Sequence, residues 1–163
     1  MSRAPDRRDR PTSGTLVRVG EVRDLASAPS VRRRRPAISD ELVLAGEPTA
    51  PRVARRWVMR AAAEAGIGGS TNQVAELLTA ELVANAVVHA PGSGDVSVRV
   101  RVDGSVLRVE VTDGGAGRPV LRHASPTAPD GRGLALVDAL ASAWGAVPAG
   151  AGKTVWFELA DDD

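Results

Sequence analysis

The run from residue 96 to 111 constrains this chain more than any other feature. Val96, Val98, Val100 and Val102 alternate with Ser97, Arg99 and Arg101, and beyond Asp103-Gly104 a second alternation continues through Leu107, Val109 and Val111. Side chains on a strand point to opposite faces in turn, so a period of two marks a strand with one buried face. Asp-Gly between two such runs is a two-residue hairpin signal. The chain therefore contains an antiparallel pair whose apolar face needs a covering layer.

Helical segments supply that layer. Pro51 suits a first helical turn and opens a helix to about Ala65, which Gly66, Gly68 and Gly69 end. Ser70 or Thr71 can cap a second helix running to about His89, stopped by Pro91, Gly92 and Gly94. A short strand is expected at Glu41 to Ala45, and Leu134, Val137, Leu140 and Ala141 mark a third helix. A closing hairpin pairs Trp144 to Val147 with Thr154 to Leu159. The expected fold is α+β, a two-layer α/β sandwich: a mixed, mostly antiparallel sheet with helices on one face.

Composition bounds the chemistry. The 163 residues hold no cysteine, and only His89 and His123 are histidines, so thiolate metal sites, cysteine nucleophiles and histidine-rich centres are excluded. A catalytic metal must then have oxygen ligands. No apolar run approaches the roughly 18 to 20 residues that span a bilayer, and the N-terminal residues lack the apolar stretch of a signal peptide, so the expectation is a cytoplasmic protein. The net charge of +1 hides an asymmetry: residues 1–38 carry ten arginines against four acidic residues, and the remainder eleven basic against sixteen acidic. Residues 1–38 are read as a basic, mostly disordered extension and 39–163 as the folded domain. The Arg32 to Arg35 run is the one candidate for touching nucleic acid. With no aromatic residue interleaved it reads more simply as a solvated tail.

Three constellations carry chemistry. In ELLTAELVANAVVHA, a projection of about 100° per residue puts Glu81 and Asn85 within the arc of Val74, Leu77, Leu78, Leu82 and Val88, which reads as the core-facing stripe. Buried polar groups require partners. Their spacing of four stacks them on one side of the helix, with His89 a turn further. An Asn carbonyl suits Mg²⁺ and a Glu can act as general base, although hydrogen bonds to neighbouring backbone would also satisfy both. His89 reads more readily as a helix-end group than as a catalyst.

The second is Asp113-Gly114-Gly115-Ala116-Gly117 at a strand end, where glycines let backbone approach a ligand and Asp113 can accept from an exocyclic amine such as that of adenine. A plain turn explains the same residues. The third, Asp130-Gly131-Arg132-Gly133-Leu134, opens a helix whose N-terminus forms an anion site, with Arg132 as a phosphate contact; a flexible helix start is the alternative. Gly152-Lys153-Thr154 imitates the end of a phosphate-binding P-loop, but Val147 stands where that motif needs glycine, and a strand follows.

Taken in order, ELVANAVVH, DGGAG, GRGLALV and GKTVWFEL resemble the GHKL superfamily of ATP-binding domains, and within it the small bacterial anti-sigma-factor serine/threonine kinases. The similarity spans about residues 40 to 160. It implies that Asn85 ligates Mg²⁺, Glu81 is the general base and Asp113 binds the adenine amino group. Gly115 and Gly117 would shape the base pocket, Gly131 and Gly133 would line the phosphates, and Thr154 would support the adenine contact through water. Residues 118 to 130 would form a lid. The resemblance also implies ATP and Mg²⁺ as cofactors, a sigma factor and a STAS-type antagonist as partners, and room for a homodimer. It assigns no role to Lys153.

The function expected is a serine/threonine kinase that regulates transcription by partner switching. Two alternatives remain: an ATP-gated binding module without phosphotransfer, and a histidine-kinase-like catalytic domain, for which no paired dimerisation helices are legible ahead of the domain.

Overall fold

A computed structural model describes residues 37–89, 94–114 and 132–162. All of its elements belong to one contact unit, Arg34–Asp163. In chain order they are β1 (Ile38–Ala45), α1 (Ala50–Glu64), α2 (Gly69–His89), β2 (Asp95–Asp103), β3 (Val106–Asp113), α3 (Arg132–Leu140), β4 (Ala143–Ala149) and β5 (Gly152–Ala160). The strands form one sheet in the order β1-β2-β3-β5-β4. Every described pairing is antiparallel.

The expected valine alternation sets the sheet's two faces. Val96, Val98, Val100, Leu107 and Val109 are fully buried, and Phe157, the one phenylalanine of the chain, joins them from β5. Burying each such side chain contributes about 1.5–3 kcal/mol, so a core that sets Phe157 among valines and alanines relies on many small aliphatic groups. Ala54, Val58 and Ala62 of α1 and Leu78 and Val83 of α2 belong to the same core. Small residues on α1 let it lie close to α2.

The other face is polar and tied by ion pairs. Arg108 contacts Glu110 and Glu158, each at 2.8 Å, and stacks 3.9 Å from the Trp156 ring centroid. Gly145 lies opposite Trp156, where a methyl group would come within 2.9 Å of the indole.

Several expectations shift in detail. The turn between β2 and β3 sits one residue later than the Asp-Gly signal: Asp103 still pairs with Val106, leaving Gly104 and Ser105 as the loop. Gly104 has φ +61°, which suits a primed hairpin turn. Ser70 and Thr71 fall inside the first turn of α2 rather than ahead of it. β1 begins three residues before Glu41 because its pairing with β2 runs from Ile38 opposite Val102 to Ala45 opposite Asp95. Among the described residues no helix is long and apolar enough to cross a membrane.

Candidate functional site

Helix α2 is apolar around much of its circumference, as befits a helix packed against α1, the sheet and α3. Its true core side is Ala75, Leu78, Thr79, Leu82, Val83 and Ala86. Leu77 and Val88, grouped with the core by the helical projection, are instead 42% and 63% exposed. Glu81 and Asn85 share their side and are half-buried. The two polar groups therefore border the core rather than penetrate it, so they can meet a ligand without unpartnered burial.

What they face is the start of α3. A methyl group on Gly133 would lie 3.0 Å from Asn85 Nδ2, 3.1 Å from Glu81 Oε2 and 3.3 Å from Glu81 Cβ. The missing side chain is therefore what lets α3 seat against the polar stripe. Two motifs far apart in sequence, ELVANAVVH and GRGLALV, are brought together at this point. Arg132, the first residue of α3, is exposed beside it. A helix N-terminus carries partial positive charge and free N–H groups, and an arginine there adds a full charge.

The donor set also fits a hard cation. Among the described residues no group of three or more His, Cys, Asp or Glu side chains could hold a metal ion by itself. The amide oxygen of Asn85 could supply one ligand, with phosphate oxygens and water as the others, which is how Mg²⁺ is usually bound with nucleotides.

Asp113 ends β3 on the helix-bearing face of the sheet, and its side chain is only 3% exposed. Opposite it on β5 stands Lys153, whose Nζ is 4.0 Å from Asp113 Oδ2. The strands meet closely here: a methyl group on Gly152 would fall 1.7 Å from the Asp113 carbonyl oxygen. Such contact with backbone admits no side chain, so Gly152 fixes where Asp113 and Lys153 lie.

Thr154 does not occupy the place expected of it. It pairs with Thr112, and the two hydroxyls are 2.7 Å apart on the face away from Asp113. Strand alternation allows Lys153 or Thr154 beside Asp113, but not both. The residue beside Asp113 is Lys153, to which the sequence assigns no role. Counting back by twos from Leu159, Phe157 and Val155, all packed in or against the core, leads to it.

Gly115, Gly117, Gly131 and the expected lid at 118–130 lie outside the described residues, as does the side chain of His89.

A family model described as "Histidine kinase-like ATPase domain" matches residues 44–159. Among solved structures, the RsbU and RsbW domains of Rv1364c from Mycobacterium tuberculosis match with a TM-score of 0.58 at 23% identity. The match covers 74% of this chain and 32% of that one, so the present chain corresponds to about a third of the other's length, and the likeness concerns the fold. No curated protein matches.

Proposed function

Because the chain belongs to the histidine kinase-like ATPase family, within the GHKL superfamily, we propose that it is a Mg-ATP-binding regulatory protein that phosphorylates a serine or threonine. In this reading the acceptor lies on a STAS-type antagonist, and the transfer governs the protein's hold on a sigma factor. The observation that carries the proposal is the seating of Gly133 against Glu81 and Asn85, which supports reading the start of α3 as the phosphate site, Glu81 as the base and Asn85 as the metal ligand.

The residues divide the work by their chemistry. Asp113 accepts the amino group of adenine, while Gly133 and Arg132 at the start of α3 receive phosphate oxygens. Asn85 offers its carbonyl to the metal. Mg²⁺, when bound, would supply positive charge to offset that of the phosphates. Glu81, one helical turn from Asn85, takes the proton of the acceptor hydroxyl as its oxygen attacks the γ-phosphorus. The bond from that phosphorus to the bridging oxygen breaks, ADP leaves, and a phosphoester forms on the acceptor.

Calorimetric titration of the full chain with ATP, with and without Mg²⁺, tests the site. The unmutated protein should bind ATP more tightly with Mg²⁺, and Asn85→Ala should lose that increment. Equal affinities with and without the metal in the unmutated protein would refute the role of Asn85.

A further inference from the structure

Among the described residues, Lys153 is a charged side chain beside the proposed base site that has no task in the proposed reaction. It lies opposite Asp113 in the β3–β5 register, on the face that carries the helices, and its ammonium is 4.0 Å from the carboxylate. Burial differs across the pair: the Asp113 side chain is 3% exposed and that of Lys153 is 23% exposed. The lysine is the partner more open to an incoming ligand.

An ammonium only donates hydrogen bonds and an ionised carboxylate only accepts them. Side by side they present an acceptor next to a donor. The complementary ligand edge carries a donor next to an acceptor, and the 6-aminopurine edge does so, with the N6 amine beside the N1 lone pair. Guanine, in the same orientation, presents O6 to the carboxylate and N1–H to the ammonium, so both contacts become repulsive.

Resting on the assignment of Asp113 to the base, we propose that Lys153 is a specificity-determining residue that donates a hydrogen bond to N1 of adenine. Lys153 and Asp113 together then read two adjacent atoms of the base. A lysine serving only as counter-ion to Asp113 would act on the carboxylate alone and would be indifferent to the atom at position 1.

That difference is measurable with 1-deaza-ATP, which replaces N1 by C–H and keeps the N6 amine. The full chain, Lys153→Met and Lys153→Arg are titrated with ATP and with 1-deaza-ATP, and near-ultraviolet circular dichroism checks that each variant is folded. A charged hydrogen bond lost without replacement weakens binding by about tenfold or more. The unmutated chain should therefore prefer ATP over the analogue by about tenfold. Lys153→Met should weaken ATP binding by a similar factor and bind both nucleotides alike, while Lys153→Arg should keep the preference. Discrimination that persists in Lys153→Met, or ATP binding there as tight as in the unmutated chain, overturns the role of Lys153 alone. Failure of the unmutated chain to bind ATP in the same titration overturns the base-site assignment and this inference with it.

Discussion

Replacing Gly133 by Ala sets two effects of opposite sign against each other. At an ordinary helix position alanine is favoured over glycine by about 1 kcal/mol, so propensity alone predicts a more stable protein. The structure predicts otherwise. The new methyl group would stand 3.0 Å from Asn85 Nδ2, 3.1 Å from Glu81 Oε2 and 3.3 Å from Glu81 Cβ. The first two atoms end side chains that can swing by a few tenths of an ångström. Cβ of Glu81 is tied to the α2 backbone and cannot, so α3 must shift or remain strained. Overpacking of this kind costs about 1–3 kcal/mol, which cancels or exceeds the propensity gain. The thermal midpoint should therefore stay within a few degrees of the unmutated value or fall. Affinity for Mg-ATP should fall further, by about tenfold or more, because the displaced groups are those proposed to hold the metal and phosphates. Thermal unfolding and calorimetric titration of the same preparation measure both quantities. A midpoint raised by several degrees together with unchanged ATP affinity would refute the close seating of α3 on α2.

Two further substitutions test the other end of the site. Thr154→Val removes the hydroxyl contact with Thr112. It should cost about 1 kcal/mol in chemical denaturation and leave ATP affinity unchanged, whereas a strong loss of affinity would restore Thr154 to the base pocket. Gly152→Ala places a methyl group 1.7 Å from the Asp113 carbonyl oxygen, so backbone must move. Destabilisation of about 3 kcal/mol or more is expected, and a variant as stable as the unmutated protein in urea unfolding would contradict the close approach of β5 to β3.

Much of this architecture was legible because the chain writes it in the simplest code available. The Val96–Val111 alternation specifies a hairpin, a buried face and a polar face, and the sheet register follows it residue by residue. The turn itself was misplaced by one residue because Asp-Gly is only a local preference, while the pairing of Asp103 with Val106 is decided along both strands. Helix α2 was harder to read. Apolar residues nearly encircle it, so periodicity does not separate its core side from the side bearing Leu77, Glu81 and Val88. That separation depends on where α1 and α3 pack, which is a tertiary fact. Asp113 and the Glu81–Asn85 pair could be found as polar residues in apolar settings. Gly133 could be noticed, but its contact with Glu81 exists only once α3 docks. Lys153 has no role legible in the sequence, because only its register with Asp113 gives it a place.

The central claim is that Glu81 acts as a base in phosphoryl transfer at this site, and the Glu81→Gln variant tests it most directly. Gln keeps the shape of the side chain and removes only its ability to accept a proton. The measurement pairs ATP affinity with the single-turnover rate of phosphorylation of a serine-bearing antagonist, in the unmutated protein and in the variant. The account predicts nearly unchanged affinity and a rate lowered by about a hundredfold or more, the usual range for loss of general-base help. An unchanged rate in a well-folded Glu81→Gln protein would contradict it.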